Sequence, residues 1–156
     1  MGRMYSVSVT GVSVTAAQDL FELTPADDKP IRVAGLWIAQ TSDAGDAEEE
    51  ILEILIKRGN TTSGSGGTTP AIETINPTDG AAGFTAEANN TTRASAGTAD
   101  NLLHDGWNVR VPYQLLLPED MRPSASQANT TLVIGLEDAP ADAITLSATV
   151  MIEEVV

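Results

Sequence analysis

The residues best suited to catalysis are a single histidine, His104, and the aspartate that follows it, Asp105. A histidine oriented by a carboxylate is the pair that activates serine in hydrolases. Hydrolases of the α/β type present that serine in a Gly-x-Ser-x-Gly turn, and the sequence contains no such turn. Its serines lie in alternating, strand-like segments or in a stretch rich in Gly, Ser and Thr. We therefore predict no catalytic residue and no enzymatic activity.

A cluster of carboxylates could bind a hard cation. Asp43, Asp46 and the three glutamates at 48–50 follow one another closely, and carboxylate oxygens suit Ca²⁺. Their spacing does not match an EF-hand loop, so we interpret the cluster as a solvated acidic turn, with calcium binding as the alternative. A zinc site needs nitrogen or sulfur ligands, and the chain has one histidine and no cysteine. We predict no metal site and no cofactor.

Carbohydrate binding is a further alternative, because aromatic rings can stack on sugars. The aromatic side chains considered for this role are Trp37, Trp107, Tyr5 and Tyr113. So few rings make a lectin or glycosidase the less favoured interpretation. The glycines near residue 65 follow no strand-to-helix pattern, so the sequence predicts no phosphate-binding loop.

The charge of the chain excludes other classes of partner. Its formal net charge is −14, from 22 acidic and 8 basic residues. Nucleic acids and anionic membranes both require a cationic surface, so we expect the chain to bind neither directly. Residues 1–17 contain no continuous apolar run, and no segment approaches the length of a membrane span, so we predict neither a signal peptide nor a transmembrane helix.

Alternation of apolar and polar residues predicts strands along most of the chain. The predicted strands are residues 5–14, 20–23, 31–40, 48–58, 107–116, 131–136 and 144–152. The phase of the first strand changes at Gly11, which predicts a bulge, and Pro112 predicts an edge position or a bulge in the fifth. Residues 31–40 are apolar enough for a strand buried on both faces. Residues 48–58 also fit a short amphipathic helix, but their isoleucines favour a strand.

These elements define the expected fold class. Short strands separated by turn signals are typical of an all-β protein, a β-sandwich or barrel, and a jelly roll is the form that best fits this size. A chain of 156 residues is expected to form one domain. We therefore predict a single β-sandwich domain over residues 1–156, with one long irregular loop.

That loop, predicted at residues 59–101, is the most unusual feature of the sequence. Irregular connections in compact domains rarely exceed about 12–15 residues unless they are functional or disordered. Apolar residues such as Ile72, Ile75 and Phe84 are spread through this polar stretch, and such a segment usually becomes ordered against a neighbour. We predict an assembly loop, and the candidate partner-binding residues are Ile72, Ile75, Phe84 and Trp107.

Residues 76–92 (NPTDGAAGFTAEANNTT), 103–113 (LHDGWNVRVPY) and 139–154 (APADAITLSATVMIEE) carry a family resemblance. In these segments the chain resembles small β-sandwich virion proteins of tailed bacteriophages, the kind that decorate or cement the capsid. The resemblance spans much of residues 48–154 and none of the first 45. It implies a jelly-roll body, trimers on the shell and no enzymatic activity.

The expected function is therefore that of a structural virion protein. We expect a capsid decoration or cement protein on the outer surface of the capsid, assembled in the host cytoplasm. The absence of cysteine is consistent with assembly in that reducing compartment. The expected partners are the major capsid protein or other virion subunits, together with further copies of the chain, a trimer being favoured. The alternative is a carbohydrate- or receptor-binding module of a virion surface or tail.

Overall fold

The computed structural model describes residues 2–42, 49–129 and 131–156. Within these ranges the chain is built of strands, with two 3₁₀ turns at Glu119–Met121 and Gln127–Asn129. The strands are β1 (Arg3–Val14), β2 (Gln18–Thr24), β3 (Ile31–Gln40), β4 (Ile51–Arg58), β5 (Ile72–Thr74), β6 (Thr85–Asn90), β7 (Asp100–Asn108), β8 (Tyr113–Leu116), β9 (Ser124–Ala125), β10 (Leu132–Leu136) and β11 (Ile144–Glu154).

The strands form two antiparallel sheets that pack against each other. Sheet A has the order β5-β1-β11-β3-β8, and β9 also pairs with β3. Sheet B has the order β6-β2-β10-β4-β7. One continuous hydrophobic core, with contributions from both sheets, lies between them. The predicted all-β class and the β-sandwich are confirmed.

Strand β11 shows how the sequence produces this core. Its burial alternates from Ile144 to Ile152, with the apolar residues facing inwards and Thr145, Ser147, Thr149 and Met151 facing outwards. Successive side chains of a strand point to opposite faces of the sheet, so an unbroken period of two fixes which face is buried. The bulge predicted at Gly11 is also confirmed: the register shifts between Val9 and Val12, and Gly11 has a φ of 60°, which favours glycine.

Two predicted strands needed the structure to decide them. Residues 48–58 form a strand, β4, and not a helix. The single strand predicted at 107–116 is wrong, because the chain turns at Asn108, whose carbonyl accepts the N–H of Val111 at 3.0 Å. The two halves belong to different sheets, β7 to sheet B and β8 to sheet A. Pro112 immediately precedes β8, an edge strand, which agrees with the edge position predicted for it.

The prediction of one irregular loop over residues 59–101 is also wrong. This segment contains β5 and β6, and its last two residues begin β7. Its two arms, residues 59–68 and 88–99, run alongside each other through the isolated bridges Thr62↔Ser95, Ser65↔Thr92 and Thr68↔Ala88. We call residues 59–99 the excursion. It is ordered against its own chain, because its polar backbone finds partners in its other arm and in both sheets.

Candidate interaction surface

The four residues predicted to bind a partner are in different environments. Phe84 and Trp107 are 2% and 1% exposed, so their assignment to a partner surface is wrong. Phe84 packs edge-to-face on Tyr5, with ring centroids 5.6 Å apart. Ile72 lies on β5, partly buried against the core. Ile75, in the turn beyond β5, is 51% exposed and remains available to a partner.

The outer face of β2 and β10, in sheet B, is covered by the arms of the excursion. Asp19 is fully buried on β2 and accepts hydrogen bonds from the N–H of Ala94 at 2.7 Å and from Arg93 at 3.3 Å. Arg93 also pairs with Glu137 at 2.5 Å. The hydrogen bond to Glu137, assisted by Asp19, raises the pKa of Arg93. The guanidinium therefore stays charged and holds one arm on the sheet.

A second buried carboxylate fastens the other arm. Glu22 is 2% exposed and accepts the N–H of Gly64 at 2.8 Å and the amide of Asn90 at 3.1 Å. Because both arms of the excursion are held on sheet B in this way, every residue of β10, in the middle of that sheet, is buried. Strands β2 and β10 of sheet B thus form an inner layer, with the core on one side and the excursion on the other.

The outer face of sheet A has no comparable layer in the described ranges. Trp37 on β3 lies opposite Thr149 on β11 and Gln114 on β8. Next to this row, Gly35 lies opposite Met151 and Leu116. We call this surface the Trp37 face. It comprises Met4, Ser6, Ser8, Gly35, Trp37, Ala39, Gln114, Leu116, Ser147, Thr149 and Met151, of which Gly35 alone is buried.

The Trp37 face differs from the rest of the molecule in charge. Among the described residues, its charged neighbours stand at the margins: Glu73 on β5 at one edge, and a cluster at one end. In that cluster Glu153 pairs with Arg122 at 3.0 Å and with Arg32 at 3.7 Å. Between these margins the face carries hydroxyl, thioether, amide and apolar groups. A broad uncharged area is unexpected in a chain with a net charge of −14, whose surface must carry that charge elsewhere.

The indole of Trp37 lies flat on the sheet. A Cβ atom placed on Gly35 would be 2.9 Å from Cη2 of this ring and 3.2 Å from Cδ2 of Leu116. The ring therefore occupies space that is free because Gly35 has no side chain. Trp37 lines a groove on each side of itself. One groove, ≈ 360 Å³, is bordered by Met4, Leu116 and Met151, with Arg122 at its end, and the other, ≈ 270 Å³, by serine, threonine and Tyr113 side chains among others.

Three of the four hydroxyl side chains of the face, those of Ser8, Ser147 and Thr149, lie within hydrogen-bonding distance of another hydroxyl or of the backbone. The oxygens of Ser8 and Thr149 are 2.8 Å apart across the β1–β11 pair. The hydroxyl of Ser147 accepts the N–H of Gly11 at 3.1 Å and lies 3.5 Å from the hydroxyl of Thr41. Burying a polar group costs little when it already has a partner. The face can therefore be covered by a partner without large desolvation losses.

The two catalytic candidates, His104 and Asp105, form contacts with side chains of neighbouring strands. His104 Nδ1 lies 2.7 Å from a carboxylate oxygen of Glu53, and both side chains are about half exposed. Asp105 accepts the hydroxyl hydrogen of Tyr113 at 2.7 Å, which joins β7 to β8 across the open edge of the sandwich. Burial, with this hydrogen bond, raises the pKa of Tyr113. These contacts connect strands and do not pair His104 with Asp105.

The predicted acidic cluster lies mainly outside the described residues, which include neither Asp43, Asp46 nor Glu48. Glu49 accepts the amide of Asn108 at 3.1 Å, and Glu50 accepts the N–H of Ala141 at 2.9 Å. In the described ranges no three His, Cys, Asp or Glu side chains are arranged to hold a metal ion. The same ranges contain no helix with the length and apolar character needed to cross a membrane.

Sequence reasoning names Trp37 only as a possible sugar-stacking ring and not as a partner-binding residue, because the apolar run 31–40 predicts burial on both faces. A usable signal was present in the neighbouring strands. The outward positions of β1 and β11 hold serine, threonine and methionine where a solvated sheet more often has Lys or Glu. Uncharged outward positions on two adjacent strands predict a covered or coverable face.

Comparison with known proteins gives little. No family model and no curated protein matches the chain. One similar solved structure is a mutant VP2 protein of infectious bursal disease virus in derived T=1 particles, with 13% identity, a TM-score of 0.25, and coverage of 98% of this chain and 40% of VP2. Another structure of such particles gives 15% identity, a TM-score of 0.14, and coverage of 96% and 37%. The chain thus spans about two fifths of those chains, and TM-scores this low do not establish a shared fold.

Proposed function

We propose that this chain is a structural virion protein, a capsid decoration or cement protein, and that its sandwich is a jelly roll. The strand order supports the jelly roll. Without the short β5, β6 and β9, sheet A reads β1-β11-β3-β8 and sheet B reads β2-β10-β4-β7. These are two four-stranded sheets between which the chain passes repeatedly, as in the eight-stranded jelly rolls of viral capsid and lectin domains. Strands β5 and β6 add one strand to each sheet.

The single observation that carries the structural role is the Trp37 face. Monomeric proteins seldom expose large uncharged, partly apolar patches, and such patches mark interaction sites. Here the patch is flat, lies on a rigid sheet and has hydroxyl groups that already have partners. This surface suits burial in a protein assembly. The proposal includes no catalytic activity, in keeping with the inter-strand contacts of His104 and Asp105.

The charge supports a place on the outside of a particle. A net charge of −14 would repel packaged nucleic acid but suits an outer surface. A cement protein that binds the assembled shell and not the separate subunits stabilises the shell by mass action. Each site occupied at about 100 times its dissociation constant adds roughly 2.7 kcal/mol, and many sites together resist internal pressure.

The test is cosedimentation of the purified protein with empty shells of the major capsid protein encoded in the same genome. We expect binding to assembled shells, no binding to separated capsid subunits, and rupture of decorated shells at a higher temperature than bare ones. Shells that neither bind the protein nor gain stability from it would overturn the cement role.

A second candidate function is carbohydrate or receptor binding, and the flat ring of Trp37 is the observation that favours it. Sugars stack on such rings, but their hydroxyl groups also need free hydrogen-bonding groups, and Ser8 and Thr149 already bind each other. Glycan-array binding that is lost in Trp37→Ala would favour this function. Trp107 is unsuitable for that test because it is buried in the core.

A further inference from the structure

We propose that the Trp37 face is covered by a second copy of this chain, in a two-fold pair that brings the two faces together. The inference shares this face with the proposed function and names its occupant. It concerns the isolated protein, so it can be tested without any shell. Two features of the face support it, its charge and its shape, and its area sets the expected strength of the contact.

Charge favours a second copy over a basic partner. Each copy has a net charge of −14, so two copies can approach closely only where neither carries charge. The middle of the Trp37 face, between Glu73 and the Arg32–Glu153–Arg122 cluster, meets that condition in the described ranges. A basic partner would instead gain affinity from acidic groups at the contact, and the face does not offer them there. The face therefore fits a like-charged copy of itself.

The shape of the face is self-complementary. Trp37 lies between two grooves. In a two-fold contact each copy presents the same patch, so that residue i meets j and j meets i. A two-fold axis beside Trp37 would place the indole of each copy over the groove of the other, against Met4, Leu116 and Met151, with Arg122 at the end of that groove. Methionine side chains adapt readily to an inserted aromatic ring.

The area of the face predicts a weak, reversible pair. The four strands that carry the face occupy about 19 Å across the sheet, and its residues on β11, Ser147 to Met151, occupy about 17 Å along the strand. Two such faces bury on the order of 650 Å² before side-chain relief is counted, which is below the roughly 1,200–2,000 Å² of standard interfaces. We therefore expect association that depends on protein concentration.

The experiment compares the full chain with matched variants by analytical ultracentrifugation over a wide concentration range. Thr149→Glu places a charge opposite Trp37, and Trp37→Ala removes the indole ring. The control is Thr85→Glu, the same substitution at an exposed strand position in sheet B. Circular dichroism and thermal melts establish that each variant is folded. We expect dimers for the wild type and Thr85→Glu, and at least tenfold weaker association for Thr149→Glu and Trp37→Ala.

Acrylamide quenching gives an independent readout, because Trp107 is 1% exposed and Trp37 dominates the accessible signal. Quenching of wild-type fluorescence should fall as concentration rises, whereas that of Thr149→Glu should not. A monomer at every concentration would overturn the inference, and so would association that both variants leave intact. A trimer dispersed by the same variants would overturn the two-fold arrangement. A dimer that fails to bind shells would reject the cement role and leave this inference standing.

Discussion

At the scale of single residues, the buried charges of sheet B hold the excursion in place. Asp19 has no exposed side-chain surface, and Arg93 is its cationic partner, 26% exposed. Removing one member of a buried pair leaves a charge without compensation, which is far more costly than losing an exposed pair. The Asp19–Arg93–Glu137 contacts therefore contribute more than an exposed ion pair such as Arg58–Asp100.

We expect Arg93→Leu to lower the free energy of unfolding by about 2–4 kcal/mol, since Asp19 keeps only the N–H of Ala94. Urea denaturation of the variant and the wild type measures this difference. The control is Asp100→Asn, which breaks the exposed pair with Arg58 and should cost less than about 1 kcal/mol. Equal losses in the two variants would contradict a special role for Arg93.

Tyr113 makes the stability of the sandwich sensitive to alkaline pH. Burial and the hydrogen bond to Asp105 raise its pKa in the folded protein above the ordinary tyrosine value of about 10. A group whose pKa is raised by folding stabilises the protein below its unfolded pKa and loses that contribution as pH rises beyond it. The stability that Tyr113 adds should therefore be complete at pH 8 and decline above about pH 10.

Tyr113→Phe tests this dependence, because phenylalanine cannot ionise. Urea denaturation between pH 8 and pH 11 should show the wild type to be more stable at pH 8, owing to its hydrogen bond to Asp105. The advantage should shrink as pH rises above about 10. A constant difference across this range would mean that Tyr113 titrates alike in the folded and unfolded chain.

At the scale of elements, the excursion is part of the core and not an appendage. Strand β6 pairs with β2 in sheet B, and Phe84, just before it, closes one side of the sandwich against Tyr5. A carboxylate oxygen of Glu154 accepts the N–H groups of Gly83 and Phe84 at 2.7 and 3.1 Å. Within the same excursion, the turn after β5 leaves Ile75 exposed.

We expect Phe84→Ala to destabilise the protein by about 3–5 kcal/mol, because it opens a cavity beside Tyr5. Ile75→Ala should change stability by no more than about 0.5 kcal/mol, since half of its side chain is already in water. Thermal or urea denaturation of the two variants compares them directly. Small effects from both variants would mean that the excursion contributes little to the core and behaves as a detachable loop.

The elements predicted correctly are those with an unbroken period. The predicted bounds of β11, β3 and β10 agree with the structure to within about two residues, since alternation and apolar runs predict both the strand and its buried face. β6 was missed because its sequence, TAEANN, contains residues of low strand propensity, and its pairing with β2 is a long-range contact. The division at Pro112 and the surface position of Trp37 likewise depend on which sheet each strand joins, which local patterns do not contain.

At the scale of the whole molecule, the two outer faces are treated differently. In sheet B, β2 and β10 are covered by the chain itself through buried carboxylates, whereas the described part of sheet A presents the Trp37 face. Among the described residues, the acidic side chains lie outside the middle of that face. The net charge then sets the electrostatic repulsion that two approaching copies must overcome, while the Trp37 face determines how closely they pack once in contact.

This separation predicts how self-association responds to salt. Raising the ionic strength from about 0.01 M to about 1 M shortens the Debye length from roughly 30 Å to roughly 3 Å, which screens the repulsion between two copies of net charge −14. Because the middle of the contact contains no ion pairs, salt has little electrostatic attraction between the two copies to screen there. We expect the dissociation constant, measured by ultracentrifugation in sodium chloride, to fall at least tenfold over this range. Sodium chloride is preferable to sulfate, which strengthens apolar burial by itself. Association that weakens with salt would mean that opposite charges hold the copies together, through a surface other than the Trp37 face.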